Sequence, residues 1–272
     1  MMKIKTLVAA AAFAVTGSAF AAIGGPVATT DGGELSLHLF SASAEATYQF
    51  DTGVLFKNFN AAALAKALPS PTPYTYSTTL DTATDAAFAS FLAVAGSASD
   101  LSFAFWGGDN SGVSAAQRSM VSTIRAGGDV SGITNGNMVD SMNQMDFYLS
   151  AVNGKQGGGT VANGSSFFTQ AEGAGHYYVN DKPTMLNKWP VGNDGLLGTT
   201  LDVYSFVRSS TSSLGNATET KIGTFTVSQL NETQYSVEFS TPPSAVPEPT
   251  SMALALVGLA GLGLMARRRA AK

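Results

Sequence analysis

No cysteine occurs among the 272 residues. That excludes disulfides, a thiolate nucleophile, zinc thiolate sites and iron–sulfur clusters, so burial alone must hold the fold. Histidine is nearly absent as well. His38 and His176 are the only two, which leaves few arrangements for histidine-dependent catalysis. Charge is sparse, and basic charge is sparsest in the middle of the chain. Six of the fifteen Lys and Arg residues lie at the two ends (Lys3, Lys5, Arg267, Arg268, Arg269 and Lys272), so residues 22–246 hold nine basic against eighteen acidic side chains, a net charge of −9. Phosphate neutralisation is therefore not available, and no nucleic acid is expected as a partner. Neither G-x-S-x-G nor H-E-x-x-H occurs. The glycine-rich stretch after Val152 is not a phosphate loop, because Leu149 stands five residues before Gly154 and Gln156 follows Lys155. No repeat of 20–50 residues is present.

What is present begins with two hydrophobic segments. At the front, Lys3 and Lys5 precede an apolar run over residues 7–15, and Ala19 and Ala21 place small residues at the positions a signal peptidase reads. This is the pattern of a secretory signal peptide over residues 1–21, cut after Ala21 by signal peptidase. At the back, residues 251–266 carry no charge. Sixteen helical residues at ~1.5 Å each cover roughly 24 Å, short of a hydrocarbon core of ~30 Å. Arg267, Arg268 and Arg269 follow directly. By the positive-inside rule they hold the tail on the cytoplasmic side of the inner membrane and leave the body outside.

The order Pro247-Glu248-Pro249, short apolar transmembrane helix, then Arg267, Arg268 and Arg269 resembles the PEP-CTERM sorting signal of Gram-negative bacteria. The resemblance covers residues 247–272, about a tenth of the chain. It implies an exosortase, a membrane cysteine transpeptidase, as partner, with cleavage near the Pro-Glu-Pro motif. It also implies a host that makes exopolysaccharide and biofilm matrix. Such a tail is an address shared by unrelated bodies, and the body's own family is not recognised from its residues.

The exported body, residues 22–246, is long enough for a single large core. Leu35, Leu37 and Leu39 alternate along one strand face, with His38 on the other. Residues 46–50 and 54–59 flank Asp51-Thr52-Gly53 as a hairpin. A short helix is expected over residues 60–68 and a strand over 75–80. Phe88, Phe91, Leu92 and Ala95 share helical spacing, and residues 101–106 alternate as a strand. Ala116, Met120, Val121 and Ile124 read as an amphipathic helix closed by Gly127. Met138, Met142, Met145, Leu149 and Val152 read as another. Strands return over residues 166–170, 176–179, 201–208, 222–230 and 234–240, the last two as a hairpin around Asn231-Glu232. The fold class is mainly β, of α+β type: a β-sandwich, with the jelly roll as one form, carrying a helical insertion around residues 81–153.

No residue set qualifies as catalytic, and no cofactor is expected. Glu172 and His176 are four apart, but Gly173 and Gly175 lie between them. Asp109-Asn110 and Asn193-Asp194-Gly195 are oxygen-rich loops that turn residues explain and that calcium would fit. Trp106, Trp189, Tyr177 and Tyr178 suit a core first and sugar stacking second. The reading that results is a non-enzymatic exported protein of the cell surface or extracellular matrix, associated with exopolysaccharide. The alternatives are a glycosidase using paired carboxylates and a carbohydrate-binding module with structural calcium.

Overall fold

A computed structural model describes residues 33–67, 73–111, 118–156, 164–169 and 189–242, with isolated positions at 23, 25, 26, 171, 178, 179, 182 and 183. The signal peptide, the sorting helix, His176 and Tyr177 lie outside the described residues. Among the described residues no helix is long and apolar enough to cross a membrane.

The elements run β1 (Glu34–Ser41), β2 (Ala46–Leu55), α1 (Phe56–Ala67), β3 (Thr75–Asp81), α2 (Ala86–Ala95), β4 (Leu101–Asp109), β5 (Ser119–Ile124) and α3 (Asn135–Gln156). Then follow β6 (Ser165–Thr169), β7 (Tyr178–Val179), β8 (Lys182–Pro183), β9 (Gly195–Leu196), β10 (Thr200–Val207), β11 (Thr218–Gln229) and β12 (Gln234–Ser240). The described residues are mainly β, with twelve strands and three α-helices among them. Ten strands form one antiparallel sheet in the order β3-β12-β11-β10-β5-β4-β1-β2-β6, with β9 on β4.

That sheet curls on itself, so its two halves face each other across a core as the layers of a sandwich do. Period-two alternation sends Leu35, Leu37 and Leu39 inward from β1 and Phe103 and Phe105 from β4. Phe225, Val227, Val237 and Phe239 come in from β11 and β12. Phe105 stacks on Phe225 with ring centroids 4.3 Å apart and planes at 12°, although β5 and β10 separate their strands in the sheet. Phe59 of α1 reaches both Phe105 and Phe239, at 5.7 and 4.7 Å. Hence one face of α1, with Phe56, Phe59 and Ala63, packs into the curl while Lys57, Asn58 and Ala61 stay exposed. The seam is closed by α2, with Phe88 meeting Tyr235 and Phe91 meeting Phe167. Gly223 is required where β11 bulges against β10, since a Cβ there would stand 2.7 Å from the ring of Phe239.

The outer face is divided. Over β5, β4, β1, β2 and β6 it is covered by α3, whose Met138, Met142 and Met145 pack on Phe40, Trp106 and Phe168, with Ser36, His38, Thr47, Gln49 and Ser122 buried among them. The methionine stripe is therefore core. Asn135 anchors the start of α3, accepting from the Ser209 backbone N–H at 3.0 Å and donating to the Ser212 carbonyl at 2.9 Å.

Three expectations are corrected. Residues 119–124 form strand β5, not a helix: Val121 faces the inner core while Met120 and Ile124 face α3. A strand buried on both faces has apolar residues that helical spacing also accommodates. Residues 81–153 are consequently no mere helical insertion, because they supply β4 and β5 to the middle of the sheet. Finally, β2 runs straight through Asp51-Thr52-Gly53 instead of turning. Gly53, at φ +65°, sits where the register with β1 shifts, and residues 56–59 open α1.

Removing the ring that ties β4 to β11 tests this packing. Phe105→Ala should lower unfolding free energy by about 3–5 kcal/mol, as for large cavities in tight cores, read as a lower denaturant midpoint at unchanged slope.

Candidate functional site

The seam of the curl is where the sheet's backbone pairing stops. β6 pairs with β2 only as far as Phe50, so Asp51 and the residues after it face β3 across an open cleft of about 280 Å³. Phe50 to Gly53 of β2, Thr78 to Asp81 of β3, and Thr84 and Asp85 line it. The turn after β3 places Asp85 as the N-cap of α2, accepting from the Phe88 N–H at 2.9 Å. Its other oxygen accepts from the Tyr48 hydroxyl at 2.7 Å. Burial first, and the Asp85 carboxylate second, hold the Tyr48 phenol well above its ordinary range.

The carboxyls in this cleft are driven in opposite directions. Burial, then the nearby charge of Glu34, pushes Asp51 up to about 7, despite the Gly53 N–H donated to it at 2.7 Å. Asp81 is held below the usual carboxylate value by the Gln234 amide at 2.6 Å and the Ala83 N–H at 2.8 Å. Tyr76 is raised by burial and then by Asp51. Near neutral pH Asp51 is thus partly protonated while Asp81 is ionised in the same cleft. No sequence motif marks these residues; Asp51 stood in what reads as a turn, and only the curl brings β2 to β3.

The residues singled out from the sequence go elsewhere. His38 is fully buried on the outer sheet face, not solvated. It stacks on Trp106 at 4.5 Å with planes 7° apart and takes the edge of Tyr148 at 5.5 Å. Burial holds its pKa well below the ordinary value, so it stays neutral. Trp106 and Trp189 are both buried, the latter edge-on to Phe206 at 4.9 Å, and neither offers a face for sugar stacking. Asp109 accepts from the Ser111 N–H at 2.9 Å and hydroxyl at 2.6 Å, an ordinary turn. Asp194 pairs with Arg125 at 2.6 Å, and the carbonyl of Asn193 accepts from the Thr123 hydroxyl at 2.6 Å. Among the described residues no group of three or more His, Cys, Asp or Glu side chains is placed to hold a metal ion.

At the far end, β12 leaves the sheet through a clamp. The Tyr74 N–H donates to the Thr241 hydroxyl at 2.9 Å, and the Thr241 N–H donates back to the Tyr74 carbonyl at 3.0 Å. The family model of the PEP-CTERM protein-sorting motif matches residues 245–269, starting three positions beyond Pro242. The chain carries a PEP-CTERM sorting motif. No curated protein and no solved structure matches the chain. The PEP-CTERM motif implies export, processing at the membrane by an exosortase, and display at the cell surface.

A group whose pKa is raised on folding adds stability below its unfolded pKa and loses it as pH rises through the folded value. For Asp51 the window runs from the ordinary 3.8 to about 7. Wild type should therefore lose on the order of 2–4 kcal/mol across that window relative to Asp51→Asn. Melting curves of the two proteins at pH 4 and pH 8 should diverge, with Asp51→Asn the more stable at pH 8.

Proposed function

We propose that this PEP-CTERM protein is a non-enzymatic component of the cell surface or extracellular matrix, associated with exopolysaccharide. In this reading signal peptidase removes residues 1–21, and residues 22–246 are the exported body. An exosortase cuts beside Pro247-Glu248-Pro249, and the tail's contact with the inner membrane is transient. The observation that carries it is the sorting motif at residues 245–269, reached directly from a body whose last strand is already paired and clamped. Two prolines keep the cleavage region extended and without helical hydrogen bonds, so its backbone is open to a protease. Arg267, Arg268 and Arg269 stop the short helix from slipping outward, because an arginine at the bilayer centre costs at least ~2.5–3.5 kcal/mol.

A second reading rests on the seam cleft. Two carboxyls whose environments push their pKa values apart are the usual acid and base of a glycosidase, and Asp51 and Asp81 have that relation. Release of new reducing ends from the host's exopolysaccharide, abolished by Asp51→Asn, would favour the enzyme over the matrix protein.

Processing is tested by intact mass in the native host. Wild-type cells should yield a body lacking both terminal segments and present in the surface or matrix fraction. Deleting the exosortase should leave the tail attached and the protein in the membrane fraction. A wild-type protein that retains Arg267 to Arg269 would make the tail a permanent anchor.

A further inference from the structure

The outer face of the sheet changes character at β10. On the α3 side it is covered, and Tyr204 and Phe206 of β10 belong to that covered side, but at the Thr200–Asp202 end of β10 and on β11, β12 and β3 it is bare and hydroxylated. Cross-strand register sets the hydroxyl residues in rows. Asp202, Thr224, Ser240 and Thr75 face one another across four strands. The next row is Thr200, Thr226, Glu238 and Ser77, and the third is Ser228, Ser236 and Thr79. Directly paired residues of antiparallel strands share a face. The alternate residues, Phe225, Val227, Val237 and Phe239, are buried inside, so these rows point away from the core. Thr75, Ser77, Thr79, Thr200 and Glu238 are exposed, and the rest are half-buried.

We propose that this face binds a neutral, polyhydroxylated polysaccharide chain. The proposal rests on the matrix reading above and names the surface that would carry it. Hydroxyls both donate and accept, so a row of them matches a polymer whose own groups are hydroxyls, whichever way the chain runs. Strands ~4.8 Å apart and same-face residues ~6.8 Å apart along each strand make a grid about 14 Å on a side, enough for several points of contact with one extended chain. Charge decides the class of polymer. Asp202 is taken by Lys221 at 2.7 Å, and the remaining charge in the rows is Glu238, so nothing here attracts a polyanion and one carboxylate repels it. A protein partner would need an apolar or aromatic anchor at the centre of the face, and every residue in the three rows is polar. Hydroxyl contacts with water as competitor are individually weak. A polymer bound by many displayed copies gains by multivalency instead.

The test uses the processed protein from the host, retained on amorphous cellulose and on dextran, with alginate as the acidic polymer. Ser77→Ala, Thr226→Val and Ser236→Ala are combined in one variant, and Thr79→Arg alone is a second, crowding the grid at the cost of a single hydroxyl. Melting curves verify that both fold, and Ser97→Ala with Ser99→Ala, in a different loop, is the control. Wild type and control should be retained on at least one neutral polymer, with alginate binding at least tenfold weaker. Both test variants should lose retention at least fivefold. Wild-type retention on neither neutral polymer, equal retention on alginate, or unchanged retention of the folded variants overturns the assignment. So does a variant that changes only self-association in sedimentation, which would give the face to a second copy of the chain. Matrix fractionation in the host is scored separately. A triple variant that keeps cellulose or dextran binding while the protein remains in the matrix fraction refutes this face and leaves the matrix reading standing.

Discussion

A sheet whose two edges are not hydrogen-bonded to each other stays curled only if side chains from distant strands meet inside it. The stacking of Phe105 on Phe225 is the contact on which this curl depends, because it joins β4 to β11 over the two strands between them. Phe59 widens the link by touching Phe105 and Phe239 together. Without cysteine no covalent tie can take over. An exported protein of this kind must place its aromatic residues where long-range closure is needed, and Phe88, Phe91 and Tyr235 do the same along the seam.

Once the inner face is committed to closure, the outer face is free to differ from strand to strand. Side chains alternate, so changing one face of a strand leaves the other untouched. On β4, Phe103 and Phe105 point in while Ala104 and Trp106 receive α3. On β11, Phe225 and Val227 point in while Thr224, Thr226 and Ser228 are turned outward. The incomplete seam follows from the same geometry. Where β6 ends at its pairing with Phe50, the Asp51 N–H still reaches the Gly164 carbonyl at 3.1 Å. The β2 edge beyond it has no ladder partner on that side, and the Asp51 carboxyl becomes partly enclosed between β2 and β3.

Most strands were legible because half-buried strands alternate in plain view: β1, β3, β10, β11 and β12 fall where their alternation puts them. So do α2 and α3, whose apolar residues keep helical spacing over ten residues or more. β5 was not legible, since both of its faces are buried and a short run of that kind carries no period of its own. The hairpin expected at Asp51-Thr52-Gly53 failed for a different reason. Gly with positive φ serves a register shift within a strand as well as it serves a turn. The seam cleft had no sequence signal at all. The hydroxyl rows had no sequence signal either, since hydroxyl residues occupy both faces of "TYSTTL" and a row exists only through its register.

The end of the chain shows why body and tail can be separate devices. β12 is paired on both sides, to β11 and to β3, so the chain leaves from the interior of a ladder and not from a fraying edge. The reciprocal bonds between Tyr74 and Thr241 close that exit, and the sorting motif begins at residue 245. A cut beside Pro247 would leave every described strand, every described core side chain and both members of the clamp in the body. While the tail is still attached, any pull along it loads two sets of ladder hydrogen bonds in parallel before it can reach the aromatic core. A body built this way tolerates both states, held and released, without having to change its fold between them.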